Sequence, residues 1–167
     1  MEFDLRKPKL RERFGLLPGK GIVNVLLGEV KPESIAHPVL EGYHLDLMIS
    51  GPIPPNPSEL IAMPAMDELK QFLDENYDIV VIDTPPFGLV TDAQMLEKWS
   101  DISLFVVRFM NTFRGQVTEM EEARQSKVFK NMAIIFNGIK TVGYYGYRYG
   151  YYGQKRKYGY GYYATKG

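Results

Sequence analysis

Short runs of apolar, strand-forming residues alternate along the chain with segments of helical pattern. Three of these runs lie at residues 79–82, 102–107 and 132–136, and Ser103 is the one polar residue within them. Runs of this length and composition are typical of strands that are buried on both faces of a parallel sheet. The pattern therefore predicts an α/β domain in which helices connect parallel strands through right-handed crossovers.

Apolar residues at helical spacing predict two longer helices between these strands. The first spans residues 60–76, with Ser58 as a credible N-cap and Pro64 forcing a kink or a restart. The second spans residues 115–127 and is predicted to turn Val117 and Met120 inward. Shorter helices are predicted at residues 9–17, 22–27 and 92–99, and a further strand at residues 44–49.

Polar residues follow each of the three apolar runs. Asp83 ends the first, Arg108 the second and Asn137 the third. Because ligands of open α/β sheets bind beyond the carboxyl ends of parallel strands, we expect these three side chains along one edge of the sheet. Asp83 is the first candidate for chemistry. The alternative is an ordinary aspartate in the turn that follows a strand.

Composition limits the chemistry that the chain can carry. There is no cysteine, which excludes disulfides, thiol catalysis and cysteine-based metal sites. No apolar run approaches the roughly 18 residues of a membrane span, and no signal sequence is recognised at the start. The 167 residues suit one domain and a tail, with the boundary near residue 142.

The last 25 residues differ sharply from the rest of the sequence. Residues 143–167 carry five basic and no acidic side chains, so residues 1–142 carry −5 in a chain whose net charge is zero. Seven glycines and no aliphatic core former predict a flexible tail. The ten tyrosines of this tail are Tyr144, Tyr145, Tyr147, Tyr149, Tyr151, Tyr152, Tyr158, Tyr160, Tyr162 and Tyr163.

Several motifs occur together in one order. DTPP at residues 83–86, TDA at residues 91–93 and the strand that ends at Asn137 resemble the ParA/MinD branch of P-loop ATPases. Within that branch, FDLRKP at residues 3–8 and GPIPPNPSEL at residues 51–60, together with the tyrosine-rich tail, resemble the bacterial protein-tyrosine kinases (BY-kinases) of capsule and exopolysaccharide synthesis.

The resemblance implies a fold and an activity. The fold is a three-layer, P-loop NTPase-like domain with a mostly parallel sheet. The activity is transfer of the γ-phosphate of ATP, with Mg²⁺, to tyrosines of the kinase's own C-terminus, usually within a homo-oligomeric ring. The implied partners are a membrane polysaccharide co-polymerase region or protein and a cognate tyrosine phosphatase. The implied location is the cytoplasmic side of the bacterial inner membrane.

The resemblance also assigns roles to individual residues. It places Asp83 on Mg²⁺ as the Walker B aspartate and makes Glu2 and Asp4 the carboxylates of the Walker A′ motif. Arg6 of that motif is a candidate phosphate contact, and Asn137 a candidate contact to adenine. Asp92 matches a recurrent acidic position. Glu2 departs from the family, which usually has aspartate there, and this weakens the assignment of a catalytic role.

A phosphate-binding loop of the GKT or GKS kind precedes the Walker A′ motif in the family, whereas this sequence begins at that motif. We therefore expect a C-terminal part of such a kinase, truncated at its N-terminal side and weak or inactive alone. The tail tyrosines are candidate phosphoacceptors. Four alternatives remain, of which the last two are less favoured: a non-catalytic phosphoacceptor or interaction protein, a ParA/MinD-like ATPase, single-stranded nucleic-acid binding, and a structural tail.

Overall fold

The computed structural model describes residues 1–88 and 91–139, which form an α/β arrangement. The helices are α1 Leu10–Arg13, α2 Ile22–Leu26, α3 Pro57–Ile61, α4 Ala65–Asn76, α5 Asp92–Met95 and α6 Arg114–Gln125, with 3₁₀ turns at Pro32–Ile35 and Leu96–Trp99. The strands are β1 His37–Pro38, β2 Asp46–Leu47, β3 Ser103–Arg108 and β4 Met132–Asn137. The tail tyrosines and the boundary near residue 142 lie outside the described residues.

Strands β3 and β4 pair in parallel, which confirms this part of the sequence prediction. Their register runs from Ser103 opposite Met132 to Arg108 opposite Asn137. Helix α6 makes the crossover between them, as a parallel connection requires. The predicted neighbours Arg108 and Asn137 therefore end side by side.

The main core forms around the N-terminal segment. Phe3 and Leu5 are almost completely buried and pack with apolar side chains of α2, α3 and α4. Hydrogen bonds fix this segment on both sides: the Glu2 N–H donates to the Met48 carbonyl at 2.9 Å, and the Phe3 N–H donates to the Asp83 carbonyl at 2.7 Å. The segment therefore joins the candidate aspartate to the core.

The predicted helix at residues 60–76 is interrupted, as Pro64 indicated. α3 ends at Ile61 and α4 starts after the proline. Ser58 is not the N-cap, because Asn56 occupies that position and Pro57 is the first helical residue. On the later helix, the prediction for Val117 was wrong, because it is 39% exposed, whereas that for Met120 is confirmed, because it is buried.

The predicted first strand differs most from the structure. Residues 79–82 form no strand, and Asp83 makes only an isolated parallel bridge with Glu2. Ile79 is 82% exposed and Val81 is 72% exposed, so the segment is not buried on both faces. A strand needs partners for its backbone groups, and the described residues supply partners along one side only.

The strand predicted at residues 44–49 is reduced to β2, which pairs with β1 in an antiparallel orientation. The predicted mostly parallel sheet is accordingly represented by one parallel pair among the described residues. None of the helices within residues 1–88 and 91–139 has the length and apolarity to cross a lipid bilayer.

Candidate functional site

Asp83 stands at the end of the predicted strand, with its backbone fixed and its side chain exposed. Its N–H donates to the Met1 carbonyl at 2.9 Å, and its carbonyl accepts from the Phe3 N–H at 2.7 Å. Pro85 and Pro86 follow closely and prevent continuation of a regular ladder. No hydrogen bond from a described residue reaches the Asp83 carboxylate.

The electrostatic environment of Asp83 disfavours its charged form. Partial burial raises the pKa of its carboxyl group, and the nearby carboxylates of Glu2 and Asp4 raise it further. The positive charges of the chain terminus and Arg13 act in the opposite direction without cancelling this effect. A carboxylate placed next to other carboxylates without a compensating donor can be stabilised by a cation.

Asp4 is held so that one of its oxygens is free of protein donors. Its Oδ1 accepts the Arg6 N–H at 3.2 Å and the Lys7 N–H at 3.0 Å, which closes a turn after the bridge. No described residue donates to Oδ2. Asp4 Oδ2 and the Asp83 carboxylate therefore both lack a hydrogen-bond donor among the described residues, and Asp4 lies near enough to raise the pKa of Asp83.

Glu2 has a different environment from the one that a catalytic carboxylate needs. It is fully buried, and its Oε1 accepts the N–H groups of Lys9 and Leu10, both at 2.6 Å. Its Oε2 accepts the Ser50 N–H at 3.1 Å. The carboxylate thus caps the first turn of α1 and ties it to the chain after β2, while its predicted catalytic role stays a prediction.

Arg6 binds Asp92 in the structure. Its Nε lies 2.8 Å from Asp92 Oδ2, and its Nη2 lies 3.2 Å from Oδ1 and 3.1 Å from the Ser58 hydroxyl. Ser58 in turn donates to Asp92 Oδ1 at 2.7 Å. Asp92 is fully buried, so Arg6 supplies the countercharge for a carboxylate that has no access to water.

This network controls the ionisation of Asp92. Burial by itself would raise the pKa of the carboxyl group, but the hydrogen bonds from Arg6 and Ser58 outweigh it, and the pKa lies below its ordinary value. The sequence did not identify Ser58 as a member of this network. Its only signal was its place after Pro57, which suggested a helix cap instead.

Asn137 and Arg108 end the paired strands, and both side chains are exposed. The Arg108 N–H donates to the Thr112 hydroxyl at 2.9 Å, so β3 turns away at this point. The structure places Glu2 and Asp4 near Asp83, and it pairs the Arg6 side chain with Asp92. Contact of Asn137 with adenine stays a prediction.

No cluster of three or more histidine, cysteine, aspartate or glutamate side chains in the described part of the chain is arranged to hold a metal ion. Two carboxylates are nevertheless enough for Mg²⁺, which commonly keeps several waters and takes further oxygens from a bound phosphate.

Comparisons with known proteins agree with these features. The sequence is 38% identical over 155 residues to the tyrosine-protein kinase YwqD of Bacillus subtilis, which covers 93% of this chain and 64% of YwqD. It is 31% identical over 149 residues to a putative tyrosine-protein kinase in the cps region of Klebsiella pneumoniae, which covers 87% of this chain and 20% of that protein. No protein-family model matches the sequence.

The structure is similar to the crystal structure of the VpsO kinase domain, with a TM-score of 0.74 and 30% sequence identity. The match covers 83% of this chain and 68% of that domain. The chain belongs to the bacterial tyrosine kinases. It spans less than two thirds of the length of the two curated kinases above.

Proposed function

We propose that this member of the bacterial tyrosine kinases contributes the Mg²⁺-side carboxylates of a site that transfers the γ-phosphate of ATP to tyrosine. The observation that carries the proposal is the exposed Asp83 carboxylate, which has no hydrogen-bond donor among the described residues and lies beside Asp4. The sequence identity of the chain to YwqD and to the VpsO kinase domain supports the reaction type.

The residues fit a divalent cation. Burial and two neighbouring carboxylates raise the pKa of Asp83, and a cation would remove the repulsion that causes part of this rise. A bound Mg²⁺ would supply positive charge that offsets the negative charge of the phosphates during transfer. Asp83 and Asp4 would hold the ion directly or through water. Glu2 holds the backbone that carries Asp4 in place.

The Glu2 contacts make the site rigid at its base. Because residues 1–3 are hydrogen-bonded to Asp83 on one side and to Met48 on the other, the two acidic groups cannot separate without breaking the bridge. Arg6 and Asp92 anchor the other end of the same segment. In this role Arg6 is a positioning residue, and any contact that it makes with phosphate would require it to leave Asp92.

The proposal extends to substrate and cellular role. The ten tyrosines of residues 143–167 are the proposed phosphoacceptors, presented to the site of another subunit within a ring. A relative named for the cps region supports a role in regulating capsule or exopolysaccharide synthesis. The proposed partners are a membrane polysaccharide co-polymerase and a tyrosine phosphatase, and the proposed location is the cytoplasmic face of the membrane.

A chimera tests the kinase assignment. Residues 1–167 would replace the matching part of YwqD, and incorporation of labelled phosphate from Mg·ATP into tyrosine would be measured. We expect autophosphorylation, and Asp83→Asn should reduce its rate by about 100-fold or more because the metal-side charge is lost. Replacing all ten tail tyrosines with phenylalanine should abolish labelling while ATP hydrolysis continues.

Asp78→Asn is the matched control. Asp78 is also an exposed aspartate close to the predicted strand, but it lies at the opposite end from the bridge. Its substitution should leave the rate within twofold of the chimera. A folded chimera without tyrosine kinase activity, or one in which Asp83→Asn retains full activity, would contradict the assignment.

A further inference from the structure

A surface groove of about 440 Å³ lies beside the loop that follows α1. It is lined by residues 15–20, Ser34 and His37. The loop begins directly at the helix, because the Leu16 N–H donates to the Arg11 carbonyl at 3.0 Å. The volume lies within the roughly 300–1,000 Å³ that is typical of sites for small ligands. We call this feature the loop groove.

An apolar wall forms one part of the loop groove. Leu16, Leu17 and Pro18 are consecutive lining residues, and Leu17 is 84% exposed. Aromatic rings bury a large apolar area when they pack against aliphatic side chains of this kind. The wall therefore suits a ligand that carries an aromatic ring.

Lys20 and His37 are the side-chain donors of the loop groove. The Ser34 hydroxyl already donates to the Lys31 carbonyl at 2.7 Å, so its proton is in use. The three ion pairs between described residues involve other side chains than Lys20. An ammonium group and an imidazole N–H can both donate to a phosphate. The groove thus combines an apolar wall with donors for an anion.

The chain around the loop groove is basic. Residues 7–20 carry five basic side chains and one acidic side chain, Glu12, which gives a net charge of +4. Lys31 and Glu33, close to the lining residue Ser34, offset each other. None of the five basic side chains forms an ion pair with another described residue. The local field therefore favours an anionic ligand.

The same field distinguishes two chemical states of the tail. Residues 143–167 carry five basic and no acidic side chains, so the unmodified tail is repelled by a basic surface. Each phosphate on a tyrosine adds about −1.5 to −2 at neutral pH, so about three phosphates cancel the charge of the tail. Phosphotyrosine also places its anion at the end of an aromatic ring, which matches the wall and the donors together.

We propose that the loop groove binds phosphotyrosine of residues 143–167, supplied by the same chain or by a second copy. The ring packs against Leu17, and the phosphate accepts hydrogen bonds from Lys20 and His37. This inference rests on the proposed function, because phosphorylation of the tail creates the ligand. No residue of the groove lines the cavity at Asp83. The groove therefore holds the product of the reaction at a second site.

Binding of synthetic peptides to the full chain tests the proposal. The probe is a fluorescent peptide of residues 158–164 with phosphate on Tyr160, which contains no basic side chain, and the readout is fluorescence anisotropy. We expect saturable binding at one site. The same peptide without phosphate should bind at least about tenfold more weakly. A peptide with phosphoserine in place of Tyr160 keeps the anion without its ring and should also bind about tenfold more weakly.

Substitutions in the loop locate the binding. Lys20→Gln should weaken binding of the phosphotyrosine peptide about tenfold, whereas Lys20→Arg keeps the charge and should bind within about threefold of the unchanged chain. Leu17→Ser removes part of the apolar wall and should weaken binding about fivefold. Both side chains are exposed, so these variants should fold.

Lys130→Gln is the matched control for Lys20→Gln. Lys130 is also an exposed lysine, but it does not line the loop groove. Its substitution should leave binding of the phosphotyrosine peptide within about twofold of the unchanged chain, because a distant exposed charge is screened by salt.

A full chain with phosphate on Tyr160, made by peptide ligation, distinguishes the two sources of the ligand. A chain that binds its own tail should stay monomeric on gel filtration and no longer bind the probe. A chain that binds the tail of a second copy should form an assembly that Lys20→Gln dissociates. Either result supports the proposal. A monomer that still binds the probe as tightly as the unmodified chain would overturn it.

Three further outcomes would overturn the proposal. The first is equal binding of the phosphorylated and unmodified peptides. The second is equal binding of the phosphotyrosine and phosphoserine peptides, since the ring would then play no part. The third is an equal effect of Lys20→Gln and Lys130→Gln, since general attraction between charges would then explain the binding. These measurements need no catalysis, so their failure leaves the kinase assignment standing, and failure of the YwqD chimera leaves the binding result unchanged.

Discussion

Glu2 and Asp83 face each other in a parallel bridge, but their carboxylates have opposite environments. Glu2 is fully buried and accepts three backbone N–H groups, whereas the Asp83 carboxylate is exposed and accepts none from the described residues. The Glu2 carboxylate therefore stabilises the local fold, whereas the Asp83 carboxylate remains available to a ligand.

Glu2→Asp tests the structural role of Glu2. The shorter side chain cannot reach Ser50 and the first turn of α1 together, so at least one charged hydrogen bond is lost. We expect the free energy of unfolding to fall by about 2 kcal/mol, as measured by urea denaturation. Glu12→Asp is the matched control, because Glu12 lies on α1 and is exposed.

The same substitution separates two interpretations of this position. If the glutamate served mainly as a catalytic carboxylate, aspartate would restore the usual family residue with no loss of stability. An unchanged unfolding curve for Glu2→Asp would therefore contradict the capping role. Glu12→Asp should change the free energy of unfolding by only a few tenths of a kcal/mol.

Close backbone packing next to this site predicts a strong effect of Gly21→Ala. A Cβ atom at Gly21 would overlap the Gly51 nitrogen and the Ile49 carbonyl oxygen, and backbone atoms cannot move aside as a flexible side chain can. The start of α2 is hydrogen-bonded to the same chain, through the Ile22 N–H and the Ile49 carbonyl at 2.9 Å. We expect a loss of about 3 kcal/mol in the free energy of unfolding.

Gly19→Ala provides the comparison for Gly21→Ala. A Cβ at Gly19 would meet only the Leu17 carbonyl oxygen, at 3.9 Å, which is an ordinary contact. Thermal or urea denaturation should show that the free energy of unfolding of Gly19→Ala is within about 0.5 kcal/mol of that of the unchanged chain. Similar stability of the two alanine variants would show that the chain at Gly51 can move.

Local pattern was enough to predict β3, β4 and the restart of the helix at Pro64, because each depends on neighbouring residues. It failed for residues 79–82. Their apolar run has the composition of a central strand, but a strand also requires partners on both sides, and composition does not reveal whether these are present. The hydrogen bonds of the Glu2 carboxylate could not be predicted either, since the N–H groups of Lys9 and Ser50 reach it only in the tertiary fold.

Candidate site residues were predicted better in position than in role. The strand-end argument placed Arg108 beside Asn137, which the register of β3 and β4 confirms, whereas the site role of Asp4 came only from the family resemblance. It could not predict that Arg6 turns to Asp92, since this contact spans 86 residues and depends on Ser58 as a third member. Contacts between distant segments require the packed structure.

The ion pair between Arg6 and the buried Asp92 predicts a pH-dependent stability. The pKa of Asp92 is lower in the folded protein than its ordinary value of 3.8, so its stabilising contribution is complete above that pH and is lost as pH falls through the folded value. Asp92→Asn should lower the free energy of unfolding by roughly 2 kcal/mol at pH 7. The difference in the free energy of unfolding between Asp92→Asn and the unchanged chain should become smaller toward pH 3.

Urea denaturation at the two pH values measures this effect. Asp101→Asn serves as the control, because the Asp101 side chain is exposed and only its backbone carbonyl is bonded, by Asn131 at 2.8 Å. A loss for Asp92→Asn that is equally large at pH 3 would assign the effect to packing instead of charge.

Asp83 should show the opposite dependence. Partial burial, Glu2 and Asp4 raise the pKa of Asp83 in the folded protein above the ordinary 3.8. Ionisation of Asp83 therefore lowers the free energy of unfolding as the pH rises from 3.8 through the raised value, and this loss persists at neutral pH. Asp83→Asn should therefore unfold at higher urea concentration than the unchanged chain at pH 7, with a smaller difference at pH 3. Such a gain on loss of a charged group is typical of a functional site.

Magnesium distinguishes a ligand site from simple repulsion. A cation that binds the folded chain at Asp83 stabilises it by mass action, so Mg²⁺ should raise the urea midpoint of the unchanged chain and leave that of Asp83→Asn unaffected. Asp78→Asn, on the same segment, should respond to Mg²⁺ like the unchanged chain. An equal response of all three proteins would mean that the ion acts through general screening, and Asp83 would then lose its place as a metal ligand.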